Sequence, residues 1–246
     1  MKHIRSGAMT AALMAACSLS ANAAADFSVN AGVASSYIFR GLAQTDYKPA
    51  LQLGADYTHP SGFYAGVWGS NVRWLKDFGI SSGRTEFDVY AGFKNSVGDF
   101  TYDVGVLRYE YTGTTSRGAT NPDTTEIYIA GSWNVFTLKY SHALTNAFGN
   151  VDSKNSWYLD LTASVPVLDK VTLILHAGRQ KIKGPTSGDA TYSDGKVALG
   201  YDFGNGVTAE GGVTFTDADK GYYTPVPKKF IGKTTPYLLV KYTHSF

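Results

Sequence analysis

Cysteine is almost absent from the sequence, whose 246 residues include only Cys17. A single cysteine cannot form an intramolecular disulfide, and Cys17 lies in a segment that we interpret below as removed from the mature chain. The remaining residues also lack a His/Cys zinc spacing, a Walker loop and a Gly-x-Ser-x-Gly sequence. We therefore predict no catalytic residues, no metal site and no cofactor.

Long apolar runs and an excess of charge are also missing. After residue 23, no segment has 18 consecutive apolar residues, which excludes transmembrane helices. Without Lys2 and Arg5, the 22 basic side chains become 20, equal to the 20 acidic ones. Because such a balance leaves no basic surface for phosphates, we expect no nucleic-acid partner.

The first residues have the pattern of a secretory signal peptide. A basic start, Met1–Arg5, precedes an apolar stretch, Ala8–Leu19, that is too short to span a bilayer. Ala21-Asn22-Ala23 is a small-x-small cleavage site. We predict that residues 1–23 are a signal peptide and that residues 24–246 form one domain. A lipoprotein cleavage site at Met14-Ala-Ala-Cys17, with lipidation of Cys17, is the alternative.

Glycine, tyrosine and phenylalanine are abundant, at 27, 17 and 13 residues, and they occur in segments with a period of two. In residues 85–94, for example, Phe87 and Val89 share one face while Glu86 and Asp88 share the other. This alternation predicts strands of about ten residues in these segments: 27–39, 49–58, 63–72, 85–94, 100–111, 124–133, 135–143, 156–165, 171–179, 193–203, 207–216 and 235–246.

The connections between these segments alternate between short and long. Residues 59–62 and 204–206 are short turns, whereas residues 112–123 and 217–234 are long loops. Outer-membrane barrels have this asymmetry, with short periplasmic turns and longer external loops. We therefore predict an all-β fold, a transmembrane antiparallel up-and-down β-barrel of about twelve strands. It would reach the outer membrane of a Gram-negative cell envelope through the periplasm.

The last strand ends on an aromatic residue. Phe246, Tyr242 and Val240 share its apolar parity, which predicts an assembly signal for the barrel-assembly machinery. In a closed barrel this strand pairs with the first, residues 27–39, and leaves no exposed edge.

A family resemblance is carried by Ser36-Tyr-Ile-Phe-Arg-Gly41, Gln44-Thr45, Ser61-Gly-Phe-Tyr-Ala-Gly66 and Ser70-Asn-Val72. With these residues the chain resembles the TorF family of porins. The resemblance is dense over residues 27–72 and looser downstream, where Gly195 stands in place of an expected tryptophan. It implies an outer-membrane barrel and a passive pore, and it implies no catalytic residues.

The inward parity of the predicted strands carries the charges of a lumen. These lumen-lining residues comprise eight acids and five bases: Asp56, Glu86, Asp88, Asp103, Glu126, Asp160, Asp202 and Glu210 with Arg40, Lys94, Lys139, Lys196 and Lys241. We predict a narrow, mildly acidic lumen that passes small hydrophilic solutes or ions with a weak preference for cations. We expect Arg40 to pair with Asp46 or Asp56 and fix the first external loop; a constriction-zone role in selecting solutes is its alternative.

Two further patterns concern glycine and the aromatic residues. The inward glycines either relieve the backbone at barrel bends or keep the lumen open: Gly32, Gly54, Gly66, Gly92, Gly105, Gly178, Gly200 and Gly212. Outward aromatics predict two interfacial girdles, and we place Tyr37 and Phe39 in the external one.

Two other functional classes are alternatives to a pore. Catalysis by a nucleophile dyad would need a neighbouring histidine, but His142 at the external rim faces away from Ser141, so we predict no enzyme. A pore-less structural or adhesin-type barrel would act through its loops, of which residues 217–234 are the longest. Outer-membrane lipid and lipopolysaccharide would then be its partners, as they would be for a porin.

Overall fold

The computed structural model describes residues 25–225 and 227–246. The predicted signal peptide, residues 1–23, and the alternative lipidation site at Cys17 lie outside the described residues. Within the described part of the chain, no helix is long and apolar enough to cross a bilayer.

The period-two segments of the sequence form strands at nearly the predicted positions. The strands are β1 (Asp26–Ala34), β2 (Ile38–Phe39), β3 (Leu42–Ala43), β4 (Ala50–Thr58), β5 (Phe63–Asn71), β6 (Thr85–Val97), β7 (Phe100–Tyr111), β8 (Thr124–Trp133), β9 (Phe136–Ala143), β10 (Trp157–Leu168), β11 (Val171–Lys181), β12 (Tyr192–Gly204), β13 (Val207–Thr216) and β14 (Thr235–Ser245). Two one-turn helices, α1 (Trp74–Asp77) and α2 (Ser187–Ala190), lie in external loops.

All strands except β2 and β3 close a barrel in which sequence neighbours are antiparallel partners. The barrel closes where β14 pairs with β1, in a register that aligns Ala31 with Tyr242. At this seam the Phe246 amide donates to the Phe27 carbonyl at 3.0 Å, and the two rings lie 5.7 Å apart. The predicted closed antiparallel barrel of twelve strands is therefore confirmed, together with its seam.

The first predicted strand is shorter than expected and is followed by a separate hairpin. We predicted residues 27–39, but β1 ends at Ala34, and β2 pairs with β3 outside the barrel sheet. The two central residues of this hairpin, Arg40 and Gly41, have φ values of 47° and 78°. Two consecutive positive φ values are typical of a type I′ turn, which closes a two-residue hairpin. The chain therefore turns back on itself instead of continuing along the sheet.

The outer face of the barrel is apolar and the inner face is polar. Leu51, Leu53 and Phe87 each expose more than half of their surface, whereas the neighbouring Glu86 and Asp88 are buried. Two assignments to the external girdle were wrong. Tyr37 is only 5% exposed, and Phe39 packs against Tyr109 and Phe148, because the hairpin carries both rings inward.

Strand β7 carries two charges on its apolar parity near the external rim. Arg108 contacts Glu110 at 3.4 Å and Asp123 at 3.3 Å. The register of β7 with β6 and with β8 is uninterrupted, which excludes a bulge at this place. These side chains therefore lie on the outer surface at the end of the strand and pair with each other.

The external loops pack together above the barrel wall. Val72, Trp74 and Leu75 around α1 form one cluster with Ala34 and Tyr37. A second cluster joins Leu42 and Ala43 of the hairpin to Tyr192, Ala218 and Ile231. Burial of these apolar side chains holds the hairpin and the loops in one arrangement.

Candidate functional site

The first external hairpin crosses the lumen. It begins after β1, and the strand diametrically opposite is β9, six positions away in either direction around the barrel. The Arg40 guanidinium reaches Glu126 on β8 and Gln180 on β11 and lies over the Tyr158 ring on β10. Because these three strands are within two positions of β9, Arg40 contacts the side of the barrel wall that lies opposite β1.

Arg40 is held by a dense set of contacts. Its two terminal nitrogens donate to the Glu126 carboxylate at 2.7 and 3.0 Å, and one of them donates to Gln180 at 2.8 Å. The guanidinium lies 4.3 Å from the Tyr158 ring centroid and 4.8 Å from that of Phe39. Only 8% of the Arg40 side chain and 3% of the Glu126 side chain are exposed. We call the ion pair of Arg40 and Glu126 the latch.

The electrostatics of the latch favour its charged form. Burial by itself lowers the pKa of the Arg40 guanidinium, but the adjacent Glu126 carboxylate outweighs burial and raises the pKa above its ordinary value. The prediction that Arg40 pairs with Asp46 or Asp56 was wrong. It considered only carboxylates near Arg40 in the sequence, whereas Glu126 is 86 residues away and comes close to Arg40 only because the barrel closes.

Gly41 allows the hairpin to approach the wall closely. A Cβ atom at this position would lie 2.6 Å from the Asp194 Cβ on β12. Its φ of 78° is also one that other residues rarely adopt. Both constraints therefore require glycine directly after Arg40.

Tyrosine rings lie across inward glycines and reach carboxylates on the next strand beyond. Tyr90 on β6 lies over Gly66 on β5, where a Cβ atom would overlap its ring. The Tyr90 hydroxyl donates to Asp56 on β4 at 2.5 Å. The space that a missing side chain would leave at this glycine is thus occupied by a ring and does not widen the lumen.

The same arrangement recurs around the barrel. The Tyr158 ring lies over Gly178, and its hydroxyl donates to Asp194. In the same way, the Tyr64 ring lies over Gly92, and its hydroxyl donates to Asp103. The hydroxyl-to-carboxylate distances are 2.9 Å for Asp194 and 2.6 Å for Asp103. For Asp56 and Asp103, the donor is a neutral tyrosine, which satisfies a hydrogen bond of the carboxylate without compensating its charge.

Other predicted lumen residues form local contacts. Lys196 pairs with Glu210 at 3.1 Å, and the Tyr237 hydroxyl donates to the same carboxylate. Lys139 lies 4.0 Å from the centroid of the Tyr128 ring.

His176 joins two carboxylates on the wall. Its Nδ1 is 3.4 Å from Asp160, and its Nε2 is 2.9 Å from Asp194. This network lies next to Tyr158 and therefore supports the ring on which Arg40 rests.

Glu86 and Asp88 make a second acidic site on β6. Glu86 accepts a hydrogen bond from Tyr37 at 2.7 Å. Burial, and then the charge of Glu86, raises the pKa of Tyr37, which keeps its hydroxyl protonated as a donor. Asp88 is fully buried, and neither carboxylate oxygen has a hydrogen-bond partner among the described residues.

The remaining predicted lumen residues are not brought to the latch. Lys94 aligns with Asp103 in the pairing of β6 with β7, and Lys241 aligns with Thr208. Asp202 is exposed and accepts a hydrogen bond from the Gly204 amide at 2.8 Å, at the short turn after β12. Within residues 25–225 and 227–246, no group of three or more His, Cys, Asp or Glu residues could hold a metal ion.

Of the predicted assembly-signal residues, Val240 and Tyr242 lie on the outer face of β14, and Phe246 directly follows this strand. Val240, Tyr242 and Phe246 are all exposed, and the Phe246 ring packs edge-on against His244. This places the chain terminus at the short-turn end of the barrel.

Sequence reasoning missed several residues that shape this site: Tyr37, Tyr64, Tyr90, Tyr158, Gln180, Asp194 and Tyr237. Part of the signal was present, since Tyr90 shares the inward parity of Glu86 and Asp88, and Asp194 shares that of Lys196. Tyr37 and Gln180 gave no such signal, because their roles depend on where the hairpin lies.

Comparisons with known proteins agree with the fold. A family model described as a bacterial protein of unknown function (Gcw_chp) matches residues 19–246. No curated protein sequence is significantly similar to the chain.

Several solved barrels are similar to it in structure at low sequence identity. The KdgM porin is 11% identical, covers 90% of this chain and 99% of its own, and has a TM-score of 0.54. The NanC porin is 11% identical, with coverage of 88% and 98% and a TM-score of 0.57. The COG4313 outer membrane channel from Pseudomonas putida F1 is 10% identical, with coverage of 96% and 100% and a TM-score of 0.56.

Proposed function

The chain belongs to the Gcw_chp family, and we propose that it is an outer-membrane channel for small hydrophilic solutes. The observation that carries this proposal is a closed barrel with an apolar outer face and a charged inner face. Such a surface is stable when the outside contacts lipid and the inside contacts water. The resemblance to the KdgM and NanC porins supports the same function.

The same surface supports a location in the outer membrane. Large apolar side chains are exposed on every barrel strand, and Phe63, Phe100, Trp133 and Phe203 lie beside short turns. An aromatic belt at the membrane boundary accounts for these rings. We propose export after cleavage of residues 1–23, insertion by the barrel-assembly machinery, and contact of the loops with lipopolysaccharide.

The hydrogen bonding of the lumenal acids supports a preference for cations. Asp56 and Asp103 accept hydrogen bonds from neutral tyrosines. Their negative charge is therefore not cancelled locally, and a low-dielectric wall focuses its field on permeating ions. We propose a narrow, mildly acidic lumen.

The latch restricts passage in this conformation. The hairpin crosses from β1 to the opposite wall, where Arg40 is bound. Solutes can therefore pass only beside the hairpin or after the hairpin has moved. We propose that the TorF-like segment containing Arg40 is the constriction of the channel, and that the resemblance to the TorF family reflects this shared segment.

Ion selectivity can be tested in planar bilayers. The purified full-length mature barrel is reconstituted, and its reversal potential is measured across a tenfold gradient of potassium chloride. We expect small conductance steps and a reversal potential of the sign that cation preference gives. A reversal potential of the opposite sign would refute the acidic lumen, and a protein that inserts but passes no current would refute the channel.

A pore-less barrel that acts through its loops is the second candidate. The crossing of the lumen by Arg40 and the packing of hairpin and loops into shared apolar clusters favour it. The bilayer experiment separates the two, because a pore-less barrel inserts and remains electrically silent.

A further inference from the structure

A row of basic side chains follows the outer face of β11 at its external end. Arg179, Lys181 and Lys183 occupy alternate positions of the chain, and the intervening Gln180 and Ile182 are buried. Alternate residues of a strand point to the same face, so the three basic side chains lie on the outer face of the barrel. The channel proposal concerns the lumen and does not use these residues.

The basic row begins where the apolar outer surface ends. Between the short turn and Arg179, the outward residues of β11 are all apolar, and Leu175 is 40% exposed. Lys181 aligns with Trp157 on β10, whose ring centroid lies 6.1 Å from that of Tyr140 on β9. Trp and Tyr side chains collect at the boundary between membrane and water. In the proposed outer-membrane location, the basic row is therefore at the height of the lipid headgroups.

The positive charge of the basic row is largely uncompensated. Arg179 donates to the Ser193 hydroxyl at 2.8 Å and lies 3.8 Å from the Asp217 carboxylate. The side chains of Arg179 and Asp217 are 47% and 61% exposed, and an ion pair as exposed as this contributes little. Within the described part of the chain, Lys181 and Lys183 form no ion pair. All three side chains can therefore bind an anion from outside.

Another arginine at the external rim has a different environment. Arg108 on β7 also faces outward, but it contacts Glu110 at 3.4 Å and Asp123 at 3.3 Å. Two acids thus meet one base on β7, whereas on β11 the ion pairs of the described residues bring one acid to three bases. The attraction for an external anion is therefore concentrated at the end of β11.

The surface next to the basic row suits an acyl chain. Ala177 aligns with Leu161 on β10 and with Gly195 on β12, and the Phe215 ring lies where a Cβ atom of Gly195 would be. Leu161 and Phe215 are each 46% exposed. A small side chain between two large exposed ones leaves a shallow apolar groove that leads away from Arg179. A lipid with an anionic headgroup can use both the groove and the bases, whereas a soluble anion can use only the bases.

We propose that the external end of β11 binds a phosphate group of lipopolysaccharide, a phosphorylated glycolipid. The Arg179 guanidinium donates to two phosphate oxygens, and the ammonium groups of Lys181 and Lys183 act as point charges on the same headgroup. One acyl chain lies in the groove at Ala177. This site makes the proposed contact with lipopolysaccharide specific, and it rests on the proposed location in the outer membrane.

Native mass spectrometry of the full mature barrel in a non-ionic detergent counts bound lipid molecules directly. Lipid A, the phosphorylated anchor of lipopolysaccharide, is titrated in, and lipid A without its phosphates is the matched ligand. We expect one lipid A per barrel, bound at least about tenfold more tightly than the dephosphorylated lipid. Equal binding of the two lipids would overturn the proposal. Displacement of lipid A by an excess of inorganic phosphate would indicate a site for free phosphate and would overturn the lipid as its occupant.

Two variants locate the site. Arg179→Gln/Lys181→Gln removes two of the three charges, and we expect the affinity for lipid A to fall about thirtyfold, equivalent to about 2 kcal/mol. Arg108→Gln removes an outward arginine from the same rim and is the matched control. It should bind lipid A within about twofold of the wild type, because Glu110 and Asp123 already meet the charge of Arg108.

The variants also define the contradicting results. An unchanged affinity of the double variant would overturn the site, as would an equal loss of affinity in Arg108→Gln. Wild-type dimers that the double variant abolishes would assign this face to a second copy of the chain. If the double variant does not assemble, Lys181→Gln alone decides the position, with an expected loss of about fivefold.

These measurements do not depend on current, so the site and the channel can fail separately. A barrel that conducts but does not prefer lipid A over its dephosphorylated form would refute this site alone. A barrel that binds lipid A as expected but remains electrically silent would refute the channel alone.

Discussion

At the scale of single residues, glycine on the inner face has a role that the sequence analysis did not consider. The sequence predicts either backbone relief or an open lumen at these positions, but Gly66, Gly92 and Gly178 lie beneath tyrosine rings. The period-two pattern predicts that both the glycines and the tyrosines lie on the inner face. It does not predict which tyrosine covers which glycine, because that depends on the register between strands, which a single sequence does not specify.

Replacement of Gly66 tests this arrangement. In Gly66→Ala the new Cβ atom would overlap the Tyr90 ring and displace its hydroxyl from Asp56. We expect the free energy of unfolding to fall by about 1–3 kcal/mol, the usual cost of overpacking. Urea unfolding of the barrel in lipid, followed by tryptophan fluorescence, measures the change.

Gly211→Ala is the matched control. Gly211 is also a barrel glycine, but the nearest atom to its added Cβ would be Leu238 Cδ1 at 3.7 Å, an ordinary contact. We expect a change below about 0.5 kcal/mol there. Equal destabilisation by both substitutions would contradict a specific role for the tyrosine above Gly66.

The latch is a buried ion pair, and its two members are expected to depend on each other. Glu126→Gln leaves the Arg40 charge buried without its anion, and we expect a loss of about 3 kcal/mol in the free energy of unfolding. The double variant Arg40→Gln/Glu126→Gln removes both charges and should recover part of that loss. A double-mutant cycle from urea unfolding measures the coupling, and strictly additive effects would contradict the pairing.

At the scale of elements, the strands were predictable and the hairpin was not. Tyr37 and Phe39 continue the apolar parity of the first strand, so periodicity alone extended it to residue 39. The chain leaves the sheet after Ala34 and reverses direction where Arg40 and Gly41 adopt positive φ values. The identity of Arg40 does not predict such a turn, because non-glycine residues rarely adopt a positive φ. The mistaken girdle positions of Tyr37 and Phe39 follow from the same extension.

The terminal strand was predicted correctly, together with its partner. Deleting Phe246 removes the ring that packs on Phe27 and the hydrogen bond from its amide to the Phe27 carbonyl. We expect the deletion to lower the fraction of heat-modifiable, folded barrel in outer-membrane preparations several-fold. Molecules that do assemble should keep the wild-type conductance, because Phe246 faces away from the lumen.

Phe246→Tyr is the control for that deletion, since it keeps an aromatic terminus and the backbone amide. Normal membrane assembly of the truncated chain would argue against Phe246 as an assembly signal. Altered conductance in the assembled fraction would argue against its place on the outer face.

At the scale of the whole molecule, alternation of side chains and of loop lengths was enough to predict a closed barrel of twelve strands. Each strand repeats the same pattern, so an error in one element, such as the end of β1, leaves the strand count unchanged. Contacts across the lumen escaped prediction because they join residues far apart in sequence. Arg40 and Glu126 illustrate this, since their pairing depends on the barrel having already closed.

The central claim is that the barrel conducts and that the hairpin restricts its lumen. Single-channel current in planar bilayers, recorded side by side for the wild type and for Arg40→Gln/Glu126→Gln, tests it most directly. We predict small steps for the wild type and steps at least about twofold larger, or more frequently open, for the double variant, because the crossing ion pair no longer holds the hairpin. Insertion of both proteins without current would contradict the channel, and identical steps from both would contradict the latch.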